Sequence, residues 1–202
     1  MILLSILFFN SVFSQEKEDL FKKDILPLVE EMEFMYGYNQ IMREYILYKT
    51  FNKSETDSIE NLSIDKRNEI IKNRNFVSDG LGKKIYKEYI NPMDVAHTQR
   101  MIEIIKKYNF PSVQRIRKYY KKDFKDPEFS PVILLIHSPK QFAEELKSLM
   151  LKEYKAKNIS QCTYGYLLWH FLGRKSLQPM LDNGYRLVEK NGIKTVESTC
   201  ED

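Results

Sequence analysis

Apolar residues recur every three or four positions along most of the chain, a spacing that places them on one face of an α-helix. The pattern is longest over residues 16–51, where we expect interruptions near Pro27 and Gly37. It returns over residues 91–109, and that helix ends there because the residue preceding a proline avoids the helical conformation. The pattern therefore predicts a series of amphipathic helices joined by short loops.

Start signals predict further helices in the second half of the chain. Ser138-Pro139 joins a capping residue to a first-turn proline, and Ser160 can cap a helix that ends near Gly173. The apolar run from Val132 to Ile136 fits either a buried helical turn or a strand, because so short a run has no distinguishing period. These segments extend the helical prediction to about residue 173.

The last part of the chain changes character. Residues 185–189 and 193–197 favour strands, and Asn191-Gly192 between them is the strongest short signal for a β-hairpin. No internal repeat or long linker divides the sequence. We therefore predict a mainly α fold, a single helical domain over residues 15–202 with a small C-terminal β-hairpin at about residues 185–197.

The first fourteen residues, MILLSILFFNSVFS, carry no charge and contain an apolar run from Ile2 to Phe9. Val12 and Ser14 take the −3 and −1 positions of a cleavage site, a combination typical of a secretory signal peptide. The run is shorter than the roughly 20 residues of a membrane span, so we expect no transmembrane segment in the mature chain. We predict cleavage after Ser14 and a secreted or periplasmic protein; the alternative is a buried N-terminal helix.

Composition narrows the function classes. The chain has 202 residues and only 7 glycines, so glycine-built phosphate loops and dinucleotide sites have little material. The net charge of +4 fits a mixed soluble surface, and no nucleic-acid partner is expected for an exported protein. Export would also favour a disulfide between Cys162 and Cys200, with two free thiols as the alternative.

The chain has three histidines, so any chemistry that needs an imidazole must use one of them. None of the close spacings of zinc sites occurs, so no metal or cofactor is expected. His97 follows Asp94 by one helical turn, and this pair either orients the imidazole or makes a hydrogen bond at the helix surface. His137 lies where a buried run reaches a helix start, so it is either a binding residue or a structural histidine, whereas His170 beside Trp169 is expected to pack.

Residues 106–125, which we call the basic segment, contain eight Lys or Arg against one Asp, interleaved with aromatic residues. Basic side chains beside aromatic rings can bind nucleic acid, which is the expectation if residues 1–14 are structural and the protein is intracellular. In an exported protein the expected anion is a surface polysaccharide, a lipid headgroup or an acidic partner. Lys118, Tyr119 and Lys121 are therefore candidate binding residues; the alternative is a solvated cationic face whose aromatic rings point into the core. A solvated acidic patch is also predicted on the first helix, from Glu30, Glu31 and Glu33.

A further pattern extends over about residues 92–180. Its elements are Asp94, Thr98, Ile102, Ile105, Tyr108-Asn109-Phe110-Pro111, Leu135-Ile136-His137-Ser138, Asn158-Ile159-Ser160, Tyr164, Tyr166-Leu167, Gly173 and Gln178. In order and spacing it resembles an uncharacterised bacterial domain family, whose members show an Asp-started helix ending in Tyr-Gly-Trp/Phe-Pro, a Gln-His or His-Ser pair, an Asp-Arg pair and a Gln followed by Tyr-Gly-Thr. The resemblance implies export and the fold of that family, and it supplies no reaction because the family has no established activity.

The chain departs from that family at three places. Asn109 replaces the usual Gly, Trp169-His170 stands where Asp-Arg is common, and Pro179-Met180-Leu181 stands near the usual Tyr-Gly-Thr. If the Asp-Arg and Tyr-Gly-Thr elements form a polar site in the family, this chain has lost half of that site.

No catalytic signature favours an enzyme, and the Gly-x-Ser-x-Gly motif of serine hydrolases does not occur. We therefore expect an exported, non-enzymatic module that binds a partner protein or an anionic envelope component, with Lys118, Tyr119 and Lys121 in contact with it. The alternative is a hydrolase with a pocket around His137 and Gln178.

Overall fold

Helices dominate the computed structural model, which describes the backbone of residues 2–190 and 193–200 and the side chains of residues 15–189 and 194–200. The helices are α1 (Ile2–Tyr48), α2 (Lys53–Glu60), α3 (Ile64–Arg74), α4 (Gly80–Ile85), α5 (Asn91–Tyr108), α6 (Val113–Tyr119), α7 (Pro131–Ile136), α8 (Ala143–Lys155), α9 (Gln161–Phe171) and α10 (Gln178–Leu181). Strands β1 (Tyr185–Lys190) and β2 (Ile193–Ser198) pair antiparallel. The predicted mainly α fold with a C-terminal hairpin is confirmed.

Two predicted features fall outside the described residues. The side chains of the predicted signal peptide, residues 1–14, and the Asn191-Gly192 turn of the hairpin are among them. Cleavage after Ser14 therefore stays a prediction. Among the described residues, no helix has both the length and the apolar character of a membrane span.

Helix α1 is the element against which most of the others pack. Its apolar stripe is buried, and the stripe consists of Phe21, Ile25, Leu28, Val29, Met32, Met35, Tyr36 and Ile46. The expected interruptions are wrong, because α1 is continuous through Pro27 and Gly37. Both residues lie on the exposed side, where water can bond the carbonyl group that loses its helical partner at a proline.

Residues from α5, α6, α7, α8 and α9 complete the main core around α1. The fully buried side chains Met101, Ile104, Leu135, Leu146 and Leu167 come from four of these helices. Each buried side chain of this size contributes roughly 1.5–3 kcal/mol through the removal of apolar surface from water. A smaller cluster, Ile46, Phe76, Ile85 and Ile90, covers the C-terminal end of α1.

A π-helical turn at Tyr86–Ile90 joins α4 to α5, so that one helical path leads into the segment that begins Asn91-Pro92. The Asn91 N–H donates to the carbonyl of Tyr86, five residues earlier. A proline lacks the N–H of a regular turn, and a wider turn is one way to accommodate it. The Tyr38 hydroxyl of α1 donates to the carbonyl of Tyr89 at 3.1 Å, which ties the wide turn to α1.

The start of α8 differs from the prediction. A 3₁₀ turn at Lys140–Phe142 precedes the helix, and Ser138 is not its N-cap. The Ser138 hydroxyl lies 3.2 Å from the Thr98 hydroxyl on α5 instead. A residue suited to capping is thus used to join two distant parts of the chain. The prediction for Ser160 is confirmed, because its side chain accepts the N–H of Thr163.

A disulfide connects the C-terminal tail to the first turn of α9. Cys162 and Cys200 are bonded, with their Cα atoms 6.1 Å apart. Gly184, at the start of the hairpin, has φ of 80° and faces both sulfur atoms; an added Cβ would lie 2.7 Å from the Cys162 sulfur. Only glycine combines this backbone conformation with so close an approach.

Candidate functional site

The three histidines belong to helices that pack against one another, α5 against α7 and α7 against α9, and the charge of Arg43 acts on both His97 and His137. His97 is on α5, His137 is the C-cap of α7 and His170 is in the last turn of α9. Helix α7 packs against α1, α5 and α9, and the Thr98–Ser138 contact joins the neighbours of two of the histidines. We call the following set the histidine cluster: His97, His137, His170, Asp94 and Arg43.

Asp94 and Arg43 form the ion pair of the cluster. One terminal nitrogen of Arg43 lies 2.7 Å and 3.0 Å from the two carboxylate oxygens, and Asn39 donates to the carboxylate at 3.2 Å. Burial raises the pKa of Asp94, and the Arg43 charge opposes that shift. Asp94 therefore bonds two residues of α1, and the alternative in which it orients the His97 ring is not the contact that forms.

His97 is 4% exposed, and neither of its ring nitrogens has a hydrogen-bond partner among the described residues. The ring packs edge-on against Tyr38, with 6.0 Å between ring centroids. Burial and the Arg43 charge lower the pKa of His97, so the imidazole is neutral at neutral pH. The prediction of a hydrogen bond at the helix surface is wrong, because this face of α5 is buried against α1.

His137 and His170 are half-buried and are also neutral at neutral pH. Burial, followed by the charge of Arg43, lowers the pKa of His137 to about 3, and His170 and Arg174 add to that shift. Burial and the Arg174 charge lower the pKa of His170 to about 4. Positive charges thus face these rings from α1 and from the end of α9.

The aromatic side of the cluster comes from α9. The rings of Tyr166 and Trp169 lie 4.7 Å and 4.8 Å from the His170 ring, centroid to centroid, as expected for a histidine that packs. The indole N–H of Trp169 and Nε2 of His170 are buried without a hydrogen-bond partner among the described residues. Arg174 follows with φ of 58°, and its backbone N–H donates to the carbonyl of Trp169.

Gln178 bonds a residue of its own turn. It is exposed at the start of α10, and its side chain donates to Asp182 at 2.6 Å. Among residues 15–189 and 194–200, no group of three or more His, Cys, Asp or Glu residues is placed to hold a metal ion. A pocket that joins His137 to Gln178 has no described contact in its favour, and the hydrolase stays an alternative prediction.

A cavity of about 600 Å³ lies at the Tyr108–Pro111 turn. Phe110 lines it together with the N-cap residues of three helices, Ser112, Ser130 and Ser160. Behind it, the buried Glu153 carboxylate accepts the Phe110 N–H at 2.8 Å. The cavity is at the start of α7 and His137 is at its end, about 9 Å along the helix axis, so the turn and His137 belong to different sites.

Much of the charge of the basic segment is neutralised by acidic side chains. Arg115 pairs with Glu18 at 2.6 Å, and Lys107 with Asp24 at 3.3 Å. The remaining pairs are Lys122 with Glu30 of α1 and Lys106 with Glu145 of α8. Glu33, 6% exposed, accepts the Lys125 N–H, so the predicted solvated acidic patch is wrong for this residue. Glu31 pairs with Arg100 but keeps 39% of its side chain exposed.

A second cavity lies at the C-terminal end of the basic segment. This basic cavity, about 500 Å³, is lined by Arg117, Tyr120, Lys121, Lys122, Asp123, Phe124 and Pro127. Arg117, Lys118 and Lys121 are exposed, and none of them has a carboxylate within 4.0 Å among the described residues.

The aromatic rings of the basic segment also differ in their surroundings. Tyr108, Phe110 and Tyr120 are buried in the core, as the alternative prediction had it. The Tyr119 hydroxyl donates to Glu18 at 2.7 Å, so this candidate residue has a structural partner. Phe124 is half-buried, stacks on Tyr120 and carries the Arg117 guanidinium 5.7 Å above its ring.

Sequence reasoning missed Arg43 and Arg174. Asn39 and Arg43 occupy positions at which the apolar stripe of α1 would continue between Tyr36 and Ile46. Polar residues within such a stripe indicate a polar partner on the facing helix, so this signal was present for Arg43. For Arg174 the sequence contains no comparable signal.

No family model matches the chain, and no curated protein or solved structure shows detectable similarity to it. The resemblance to an uncharacterised bacterial family therefore stays a prediction.

Proposed function

We propose that the protein is an exported, non-enzymatic binding module that holds an anionic component of the bacterial envelope in the basic cavity. The observation that carries this proposal is the uneven pairing of the basic segment. Its cations that face α1 and α8 have carboxylate partners, whereas Arg117 and Lys121, which line the cavity, and the neighbouring Lys118 have none within 4.0 Å among the described residues.

The chemistry of the basic cavity suits an anion that also presents a flat or apolar surface. The exposed cations supply the attraction, and Phe124 and Tyr120 form a stacked aromatic wall. Lys122 pairs with Glu30 only at the surface, so a ligand can compete for it. Because the cations are exposed, salt screens their attraction to a ligand beyond the Debye length, which is about 8–10 Å near physiological ionic strength. Added salt should therefore weaken binding.

The test measures binding of the mature protein to wall and membrane fractions at low and at moderate salt. The variant Lys118→Glu/Lys121→Glu reverses Lys121, which lines the basic cavity, and its neighbour Lys118. We expect its binding to fall by at least about tenfold, equivalent to roughly 1.4 kcal/mol. Moderate salt should reduce binding of the unmodified protein in the same direction.

The matched control is Lys66→Glu/Lys72→Glu on α3, which makes the same change in net charge at two exposed lysines. We expect the control variant to bind as the unmodified protein does. Equal binding by all three proteins, or equal loss in both variants, would contradict the proposal. Mass spectrometry of the secreted protein should show a chain that begins at Gln15, and a chain that begins at Met1 would contradict export.

A further inference from the structure

The cavity of about 600 Å³ at the Tyr108–Pro111 turn, which we call the serine cavity, adjoins the basic cavity. Gln114 lines the serine cavity, and Arg117 lines the basic cavity. Both residues are exposed, and they are three positions apart on α6, so they share one face of the helix and lie about 4.5 Å apart along its axis. The exposed Lys118 follows on the same face. One exposed surface of α6 therefore connects the two cavities.

The serine cavity presents hydrogen-bond donors and acceptors together. A hydroxyl can donate and accept, and a side-chain amide carries both kinds of group. Six lining residues have such side chains: Ser112, Gln114, Ser130, Asn158, Ser160 and Thr163. The Ser130 side chain does not cap α7 and Gln114 is exposed, so both can bond a ligand. Val113 and Val132 add apolar surface to the same lining. Hydroxyl groups carried on a ring with apolar faces, as in a sugar, match this combination.

A buried carboxylate holds two walls of the serine cavity in place. Glu153, 5% exposed, accepts the backbone N–H of Phe110 and the side-chain amide of Asn158, each at 2.8 Å. These bonds join the turn before α6 to the loop before α9. Hydrogen bonds to an ionised group are among the strong ones, so the two walls are fixed before a ligand arrives. A pre-formed cavity has less to order when it binds.

The charges along this surface favour an anion. Lys157 is exposed, is the one charged residue in the lining of the serine cavity, and has no carboxylate within 4.0 Å among the described residues. The charged residues that line the basic cavity are Arg117, Lys121, Lys122 and Asp123. Positive charge in both cavities suits a chain with repeated negative groups better than a single charged group.

The same surface is poor in exposed apolar side chains. Of the residues that the structure describes, no large and exposed apolar side chain belongs to α6 or to the lining of either cavity. Helices that lie on a membrane insert such side chains beside their cations, and protein interfaces have an apolar core. A lipid surface and an acidic protein therefore match the two cavities less well than an acidic sugar polymer.

We propose that the serine cavity and the basic cavity together bind one acidic polysaccharide chain. Sugar hydroxyls lie in the serine cavity, and the negative groups of the chain lie at Lys157, Arg117 and Lys121. This inference rests on the proposed function, because it names the chemical class of the anionic component that the basic cavity holds. It adds one requirement: the ligand is long enough to occupy both cavities.

Calorimetric titration of the full mature protein, at constant ionic strength and neutral pH, compares probes of matched charge. Hexagalacturonate is a short chain of acidic sugars, and a capped hexaglutamate peptide carries the same number of carboxylates without sugar rings. We expect hexagalacturonate to bind at least about tenfold more tightly than the peptide. Galacturonate alone should bind at least about a hundredfold more weakly than the hexamer, because it occupies one cavity at a time.

Variants separate the contributions of the two cavities. Lys157→Gln/Gln114→Ala changes only the serine cavity and should weaken hexagalacturonate binding by at least about tenfold. The matched control Lys155→Gln/Gln99→Ala makes the same changes at two exposed residues outside both cavities and should alter the affinity by less than about twofold. All four side chains are exposed, so both variants are expected to fold as the unmodified protein does.

The outcomes also distinguish this inference from the proposed function. If Lys118→Glu/Lys121→Glu loses binding to envelope fractions while Lys157→Gln/Gln114→Ala binds hexagalacturonate normally, the basic cavity acts alone and the two-cavity site is wrong. Equal affinities for hexagalacturonate and hexaglutamate would overturn the polysaccharide class. Tighter binding to vesicles of phosphatidylglycerol than to hexagalacturonate would overturn it in favour of a lipid surface.

Discussion

The basic segment and the histidine cluster both pack against α1, yet they satisfy their polar groups differently. In the basic segment, three cations form ion pairs with carboxylates of α1. The pairs are Arg115 with Glu18, Lys107 with Asp24 and Lys122 with Glu30. In the histidine cluster, the Arg43–Asp94 pair is complete, but both ring nitrogens of His97 and Nε2 of His170 have no partner among the described residues.

The comparison shows that charge density is a poor guide to a site unless pairing and burial are known. An exposed ion pair is worth about 0–1 kcal/mol, whereas each buried polar group without a partner costs about 1–3 kcal/mol. The basic segment is conspicuous in the sequence, and half of its charge serves the fold. The histidine cluster is dispersed in the sequence, and its unpartnered atoms are a continuing cost to stability.

The largest expected difference between the two regions lies in their ion pairs. Arg43→Met leaves the buried Asp94 carboxylate without its cation, and we expect the free energy of unfolding to fall by about 3–5 kcal/mol. Lys122→Met breaks the exposed pair with Glu30 and should cost less than about 1 kcal/mol. Urea denaturation measures both changes, and similar losses in the two variants would remove the distinction between the regions.

The pH dependence of stability should come from the cluster, because the basic segment contains no histidine. The pKa of His137 is lowered to about 3 and that of His170 to about 4 in the folded protein, so below about pH 6.5 the unfolded chain binds protons that the folded chain does not. Stability is therefore full above that pH and falls as the pH falls toward 4.

The expected loss between about pH 6.5 and pH 5 is at most about 1.4 kcal/mol per pH unit for each histidine. Thermal or urea unfolding across this range measures it, and His170→Gln should reduce the slope. If the slope of this variant equals that of the unmodified protein, His170 is protonated alike in the folded and unfolded states.

The smallest expected effect is one of opposite sign. His97→Phe replaces a buried ring with two unpartnered nitrogens by an apolar ring of similar shape, and we expect a gain of about 1 kcal/mol in the free energy of unfolding. Tyr119→Phe in the basic segment removes a hydroxyl that bonds Glu18 and should lose about 1 kcal/mol. A loss in His97→Phe would mean that the imidazole has a partner, such as a buried water.

Much of the fold could be predicted because the signals for a helix lie within its own segment of the sequence. The spacing of apolar residues located α5 and α9, Asn191-Gly192 indicated the hairpin, and the cap at Ser160 marked a helix start. The expected breaks in α1 at Pro27 and Gly37 were wrong, because helix-breaking tendency is weak where the freed carbonyl faces water and packing holds both sides.

The candidate site was harder to predict because it depends on pairs that are far apart in the sequence. His137 was identified as a candidate, but its neighbours Arg43 and Arg174 were not, and Gln178 proved to bond its own turn. Lys118 and Lys121 remain exposed and Lys121 lines the basic cavity, whereas Tyr119 bonds Glu18. Which cation of a basic run remains unpaired depends on which carboxylates the facing helix presents.

The sequence by itself determined the helices, the hairpin and the faces on which polar residues interrupt an apolar stripe, because these features depend on spacing within one element. The tertiary structure decided that Arg43 bonds Asp94 and that its charge acts on His97 and His137, which are more than fifty residues away in the sequence. The reason is physical: hydrogen bonds and burial belong to pairs of surfaces, and only packing brings those surfaces together.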